Sequence, residues 1–257
     1  MKRKTARDEM ELISNTTFVV KSFMRPACLD RLVQSILARY PKALILVADD
    51  GPDRLERDDV HVFNLPFDTG LSYGRNFLID QVCTEYLILM DDDHVFKDET
   101  VIEHLVEPLV SGPFDLIGAQ VVEAEGPFSW EGLMELNGTF LSMKPGNKGT
   151  VGGVQKVDFC HNFFAAKTKM IQQLRWNDDL KMGEHTDFFL RAKTMDVRVG
   201  YCPSVQVFHA PEKSAGYARY RKRAKEYRLV MMKHHGIRKI VNDVSPGGNL
   251  DLDENKR

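Results

Sequence analysis

Short apolar runs alternate with helical stretches along the first half of the chain. The runs predicted to form strands are Thr17–Lys21, Ala43–Ala48, His61–Leu65, Tyr86–Met90 and Leu116–Val122. The intervening stretches that predict helices cover residues 29–36, 70–83 and 100–110. Because strands that are apolar on both faces are buried on both faces, this alternation predicts a parallel sheet covered by helices on either side.

The second half of the chain has a less regular pattern. It predicts antiparallel segments at Leu136–Met143 and Gly149–Lys156, strands at Val157–Lys167 and Val197–His209, and helices at Gly183–Lys193 and Tyr217–His235. The sequence contains neither an internal repeat nor a segment with the composition of a flexible linker. We therefore predict one domain over residues 1–257, with a flexible lead at 1–15 and a flexible tail at 243–257.

Charge and cysteine content narrow the class of protein. The 35 basic and 37 acidic residues leave a formal charge of −2, whereas a nucleic-acid binder normally carries a basic excess, so no nucleic-acid partner is expected. The four cysteines are widely separated, with no CxxC pair, which argues against a zinc site and a disulfide framework. No apolar run approaches the length of a membrane span, and we expect a soluble protein.

Three aspartates in succession, Asp91, Asp92 and Asp93, follow the strand at Tyr86–Met90. Ligands of an open parallel sheet bind beyond the carboxyl ends of its strands. Alternate residues at a strand end project the same way, so Asp91 and Asp93 can reach one ion together. Carboxylate oxygens suit Mg²⁺ or Mn²⁺, with a substrate diphosphate completing the coordination. The alternative is a solvated acidic turn.

Other strand ends and helix starts carry further candidates. His209 ends the last predicted strand and is a candidate third metal ligand, or else a half-buried polar residue. Arg75 lies in the glycine-containing start of a helix, where it could bind phosphate; a simple helix cap is the alternative. Glu184, His185 and Asp187 lie within one turn, so at least one can face a cleft as a general base, although acidic residues there also complement the helix dipole.

A basic stretch near the C-terminus and the two tryptophans each have a structural and a functional interpretation. The densely basic stretch from Tyr217 to Arg228 could contact phosphates, an acidic acceptor or a membrane surface, but a solvated helix face is favoured. Trp130 and Trp176 could each stack on a sugar ring or serve as core packing.

The ordered set of motifs KSFMRP, VADDG, GLSYGRN, MDDD, GEHTDFF and VFHAP resembles that of the GT-A glycosyltransferases. More narrowly, the stretches YLILMDDDHVF, HNFFAAKTKM and RVGYCPSVQVFHAP resemble the β-1,4-N-acetylgalactosaminyltransferases of the GM2/GD2 synthase type. The likeness covers about residues 16–235. It implies an α/β GT-A fold, with a Rossmann-like, mostly parallel central sheet and a smaller antiparallel portion on the acceptor side.

The resemblance also implies a nucleotide-sugar donor, expected to be a UDP-sugar, and a divalent ion, Mn²⁺ or Mg²⁺. The residues that would bind the donor are Ser22, Arg25, Asp49, Asp50, Arg75, Asp91 and Asp92. The implied metal ligands are Asp91, Asp93 and His209. Many inverting members have Glu-Asp where this chain has Glu184-His185, so Glu184, His185 and Asp187 all stay open as the catalytic base.

We therefore predict a metal-dependent, inverting glycosyltransferase that moves a sugar from a UDP-sugar to a hydroxyl of a carbohydrate acceptor, with GalNAc as the expected sugar. The alternatives are a sugar nucleotidyltransferase and a catalytically silent carbohydrate-binding module on the same scaffold. No membrane contact is indicated. The expected location is the cytoplasm, or the Golgi lumen if an anchor precedes this sequence.

Overall fold

The fold was analysed in a computed structural model that describes residues 11–212, 215–245 and 248–252. Residues 1–10, 246–247 and 253–257 of the predicted flexible ends lie outside the described residues. Among the described residues, none of the helices is both long and apolar enough to cross a bilayer.

The described residues form fifteen strands and seven helices. The strands are β1 (Thr16–Ser22), β2 (Leu44–Asp49), β3 (His61–Asn64), β4 (Tyr86–Asp91), β5 (His94–Val95), β6 (Leu116–Glu123), β7 (Gly126–Phe128), β8 (Leu133–Asn137), β9 (Phe140–Lys144), β10 (Thr150–Val151), β11 (Val154–Val157), β12 (Phe164–Lys167), β13 (Val199–His209), β14 (Lys239–Asn242) and β15 (Leu250–Asp251). The helices are α1 (Pro26–Arg39), α2 (Leu71–Gln81), α3 (Glu103–Ser111), α4 (Thr168–Leu174), α5 (His185–Thr194), α6 (Ala215–Arg221) and α7 (Ala224–His234).

The central sheet has the strand order β10-β11-β13-β6-β12-β4-β1-β2-β3. Strands β4, β1, β2 and β3 run parallel to one another, and β13 runs parallel to β6. Strand β12 is inserted antiparallel between β4 and β6. The predicted α/β architecture with a largely parallel sheet is confirmed. A second, four-stranded sheet has the order β15-β14-β9-β8 and contains the predicted hairpin around residues 136–143.

Each face of the central sheet has its own core. On one face, α1 and α3 bury apolar residues such as Leu32 and Leu105 against the sheet. On the other, α2, α4, α5 and α7 contribute residues such as Ile79, Phe188 and Met231. Helix α1 begins at a proline and buries its apolar stripe completely, as its spacing predicted.

Two predicted elements are wrong in extent. The strand predicted over Val157–Lys167 is two strands, because the chain leaves the sheet at Asp158 and returns at Phe164. The Asp158 carboxylate accepts a hydrogen bond from the Met134 backbone N–H and pairs with two lysines, which holds the intervening segment away from the sheet. The helix predicted over Tyr217–His235 is likewise divided into α6 and α7.

Candidate active site

The carboxyl ends of β1, β2 and β4 bring the sequence candidates to one edge of the sheet. The strand register sets Ser22 beside Asp49 and Lys21 beside Asp91. Arg25 follows β1 by three residues and starts the turn into α1. This convergence follows from the parallel order of the three strands.

Arg25 forms ion pairs with the two aspartates that follow β4. Its guanidinium donates to Asp92 and to Asp93, and the Ser22 hydroxyl donates to Asp92 at 2.9 Å. Burial raises the pKa of Asp92, and the charge of Arg25 only partly offsets it. Burial also acts to raise the pKa of Asp93, but hydrogen bonding from His209 and the charge of Arg25 outweigh it and lower that pKa.

Three donor groups lie close enough together to hold a divalent cation. One ligand atom from each of Asp91, Asp93 and His94 lies within 4.8 Å of the other two. The Nδ1 atom of His94 is buried and has no hydrogen-bond partner among the described residues. Burial lowers the pKa of His94, which favours the neutral imidazole that a metal requires. Two carboxylates and an imidazole are a donor set that fits a divalent cation. His94 was not among the metal ligands predicted from the sequence.

His209 lies beside this cluster, where it contacts two carboxylates. Its Nε2 is 3.3 Å from an oxygen of Asp93, and its Nδ1 is 2.8 Å from an oxygen of Glu123. The hydrogen bond to Asp93 is the main cause that raises the pKa of His209, to about 9. His209 therefore contacts Asp93 of the cluster, but both of its ring nitrogens are engaged by carboxylates.

Arg75 is a buried link between Asp91, in the candidate metal cluster, and Glu184, one of the candidate bases. Its side chain is 1% exposed, donates to Asp91 at 2.7 Å and donates also to Glu184. In the amide orientation that satisfies both sides, the Asn162 oxygen accepts from Arg75 Nη2 at 2.8 Å and from His185 Nε2 at 2.6 Å. Arg75 thus binds protein carboxylates beneath the cavity rather than lining it.

The three candidate bases occupy different environments. Glu184 is fully buried, and although burial acts to raise its pKa, the charges of His185 and Arg75 lower the pKa overall. His185 is 31% exposed and lines the cavity, with Nδ1 3.0 Å from the Glu184 carboxylate. Asp187 is buried and bonds Arg191 and His235, each at 2.8 Å, without lining the cavity. Glu184 also lines the cavity, but of these three side chains only that of His185 is substantially exposed.

A cavity of about 450 Å³ lies over these groups and extends beneath the C-terminal helices. Among the donor-binding candidates, Arg25 and Asp50 line it; Lys21, which the sequence analysis passed over, lines it too. Basic and aromatic residues of α6, α7 and the turn between them form much of the remaining wall: Tyr217, Tyr220, Arg221, Arg223, Tyr227 and Arg228. Much of this stretch is exposed, as the favoured interpretation as a solvated helix face predicts, but one side of it also lines the cavity.

Lys21 and Asp50 line one end of the cavity, and Asp49 lies next to them at the end of β2. Asp50 accepts from Lys21, from the Thr69 hydroxyl at 3.1 Å and from the Gly70 backbone N–H at 2.8 Å. Asp49 accepts from the Gly51 backbone N–H, and burial raises its pKa. Burial lowers the pKa of Lys21, although the adjacent Asp50 opposes that shift. Both oxygens of Asp50 are therefore engaged by protein groups.

The two tryptophans have different settings. Trp176 is 4% exposed and stacks on Phe188, so packing accounts for it. Trp130 is half-buried, lines the cavity and meets the His185 ring edge-on at 5.5 Å. Only Trp130 of the two faces a space that a ligand could fill.

Comparison with known proteins identifies the family. The model of glycosyl transferase family 2 matches residues 17–175, more than half of the chain. The chain belongs to glycosyl transferase family 2. The prediction of a glycosyltransferase is thereby confirmed, and the family favours glycosyl transfer over nucleotidyl transfer.

This family 2 glycosyltransferase is similar to beta-1,4 N-acetylgalactosaminyltransferases. The identity is 32% over 262 residues with enzyme 1 of Mus musculus, covering 88% of this chain and 48% of the relative. With enzyme 2 of Mus musculus it is 32% over 228 residues, covering 86% of this chain and 44% of the relative. The chain thus spans about half the length of the curated relatives it matches.

Solved structures support the same fold for this family 2 glycosyltransferase. GalNAc-T7 superposes with a TM-score of 0.59 at 15% identity, covering 77% of this chain and 44% of that chain. S. aureus TarS superposes with a TM-score of 0.55 at 14% identity, covering 76% of this chain and 36% of that chain. The GT-A fold implied by the sequence resemblance is confirmed.

Proposed function

We propose that this chain transfers N-acetylgalactosamine from UDP-GalNAc to a hydroxyl of a glycan, with a divalent cation and inversion at the anomeric carbon. The observation that carries the proposal is the cluster of Asp91, Asp93 and His94 at the sheet edge, beside a cavity lined by Arg25 and His185. The names of the relatives support the sugar and the β-linkage. Because UDP-GalNAc is an α-glycoside, a β-linked product requires inversion.

The divalent cation would be held by Asp91, Asp93 and an imidazole, and it would supply positive charge to the leaving diphosphate. The structure of GalNAc-T7 is described with UDP, GalNAc and Mn²⁺, which supports Mn²⁺ as the first ion to test. Arg25 holds Asp92 and Asp93 in position, and the Ser22 hydroxyl fixes Asp92 from its other side. These contacts pre-organise the carboxylates before the donor arrives.

His185 is the proposed general base. Its Nδ1 faces the ionised Glu184, which keeps the Nδ1 proton in place and directs Nε2 away from that carboxylate. With the ring proton on Nδ1, Nε2 carries the lone pair that takes the proton from the acceptor hydroxyl. The resulting imidazolium is stabilised by Glu184 and by the Asn162 oxygen, which accepts a hydrogen bond from Nε2 once that atom carries a proton. Glu184 itself is too deeply buried and too weakly basic for the role.

Calorimetric titration with UDP tests the donor and metal assignments. We expect binding that requires Mn²⁺ and is selective for UDP over ADP, GDP and CMP. Asp93→Ala is expected to abolish the Mn²⁺-dependent binding of UDP and the transfer activity while circular dichroism shows that the protein remains folded. Full activity in this variant, or absence of nucleotide binding by folded wild-type protein, would contradict the proposal.

The two histidines near the carboxylates can be separated by the same titration. If His94 is the imidazole ligand, His94→Ala weakens Mn²⁺ binding by about tenfold or more, and His209→Ala weakens it less. The reverse order would restore His209 as the ligand that the sequence resemblance implied.

Single substitutions identify the base. His185→Ala is expected to lower kcat by about 10²- to 10⁴-fold with UDP affinity unchanged. Asp187→Asn is expected to keep kcat within a few-fold of wild type. The anomeric proton coupling of the product reports its configuration, and an α-linked product would overturn inversion.

A further inference from the structure

We propose that Phe128, Trp130 and His161 form a platform that stacks against the pyranose ring of the acceptor and presents its hydroxyl to His185. This inference rests on the proposed function and adds the site at which the acceptor sugar binds. All three side chains line the same cavity as Arg25.

The three rings form one contiguous surface. The Phe128 and His161 ring centroids are 4.8 Å apart, and those of Trp130 and His161 are 6.1 Å apart. Phe128 is 40% exposed, and Trp130 is half-buried. An open aromatic surface inside a cavity favours a ligand with an apolar face, which the C–H groups of a pyranose ring provide.

Hydrogen bonds and ring contacts fix the positions of the platform residues. The Phe128 carbonyl accepts from His161 Nε2 at 2.9 Å and from the Gln120 amide at 3.1 Å. The Tyr201 hydroxyl in turn donates to the Gln120 oxygen at 2.6 Å. Trp130 is fixed from below by Phe159, with ring centroids 4.9 Å apart. Such pre-organisation lowers the entropic cost of binding a weakly held sugar.

His161 adds a polar handle to the platform. Because its Nε2 faces a carbonyl, Nε2 carries the proton and Nδ1 is an acceptor for a sugar hydroxyl. Burial lowers the pKa of His161 to about 3, so the ring is neutral at pH 7. A neutral ring keeps the Nδ1 lone pair available to a hydroxyl group.

The location next to His185 gives the platform its function. The edge-on contact of 5.5 Å between Trp130 and His185 sets the proposed base beside any ring stacked on the indole. The platform belongs to β7, the residues after it and the segment between β11 and β12, whereas the donor candidates lie at the ends of β1, β2 and β4 and on α2. Donor and acceptor would therefore be held by different parts of the chain.

Kinetics of Trp130→Leu and Trp130→Phe test this role. We expect Trp130→Leu to raise the KM for the acceptor glycan by about three- to tenfold, with the KM for UDP-GalNAc and the UDP affinity within twofold of wild type. Trp130→Phe, which keeps an aromatic face, is expected to restore most of the lost affinity. An unchanged acceptor KM, or an equal loss of UDP affinity that would assign the platform to uracil, would overturn the inference.

Tryptophan fluorescence provides a test that needs no turnover. The chain has two tryptophans, and Trp176 is buried in the core, so a sugar that stacks in the cavity should alter the emission of Trp130. We expect methyl β-D-galactopyranoside to change the emission of wild type and of Trp176→Phe, with sorbitol as the open-chain control. If the fluorescence changes but the protein has no transfer activity, the proposed function is refuted and the platform is not. If the protein transfers the sugar but its fluorescence does not change, the platform is refuted.

Discussion

Replacing Arg75 by methionine tests whether the buried link beneath the cavity is held by charge. Methionine has a similar length and apolar stem, so the change removes the guanidinium with little loss of volume. The Glu184 carboxylate, which is 0% exposed, would then lose its principal buried cation, and Asp91 would lose its partner at 2.7 Å. We expect Arg75→Met to be strongly destabilising because a buried carboxylate is left uncompensated.

The size of the effect follows from the burial of both partners. Breaking a buried ion pair costs about 3–5 kcal/mol, and the remaining contact of Glu184 with His185 places the expected value near the lower limit, about 3 kcal/mol. For a chain of this length, 1 kcal/mol corresponds to about 2–4 °C in Tm, so the expected decrease is roughly 6–12 °C. Urea denaturation followed by near-ultraviolet circular dichroism measures the free energy directly.

A matched surface arginine provides the control. Arg175 pairs with Asp80 at 2.7 and 3.1 Å, but both side chains are exposed by 40% or more. Arg175→Met should cost about 1 kcal/mol or less. The double variant Arg75→Met/Glu184→Gln should be more stable, by about 1 kcal/mol or more, than the sum of the two single losses in the free energy of unfolding predicts. The reason is that the glutamine amide needs no counter-charge. The reasoning is refuted if Arg75→Met costs no more than Arg175→Met.

Three further predictions concern the cover of the cavity, the end lined by Lys21 and the response of the fold to pH. Asp187→Asn weakens the tie to His235 at the end of α7, so we expect UDP affinity to fall by about threefold in calorimetry; unchanged affinity would contradict a positioning role. A Cβ at Gly74 would lie 2.2 Å from the Lys21 side chain, so Gly74→Ala should cost about 1–3 kcal/mol in urea denaturation, and a neutral result would show that Lys21 relocates freely. Burial acts to raise the pKa of Asp115, but hydrogen bonds from two cationic neighbours outweigh it and lower the pKa to about 2. A carboxyl group whose pKa is lowered on folding stabilises the fold at pH values above its unfolded pKa of 3.8. We therefore expect Asp115→Asn to lower the free energy of unfolding by about 1–2 kcal/mol at pH 7, and this loss should vanish as the pH falls from about 4 to 2. A difference in stability between variant and wild type that does not change with pH would contradict this.

The location of the candidate site at the sheet edge was predictable because it depends on local patterns. An apolar strand that ends in Asp91, Asp92 and Asp93 projects alternate carboxylates together by backbone geometry alone. The parallel strand order then brings the ends of β1, β2 and β4 to the same edge. The break at Asp158 was not predictable, because the lysines and the Met134 backbone that hold it come from elsewhere in the chain.

The sequence by itself determined the sheet, the family and the set of polar residues from which the site is built, because periodicity and short motifs are properties of single elements. Only the tertiary structure decided how these residues pair. Arg75 and Glu184 are 109 positions apart and meet because α2 and the start of α5 pack on the same face of the sheet. The same packing turns Asp187 towards His235 and opens His185 to the cavity, although the two lie in one helical turn. Spacing along a helix fixes relative direction, but the neighbouring elements determine which direction is core and which is cavity.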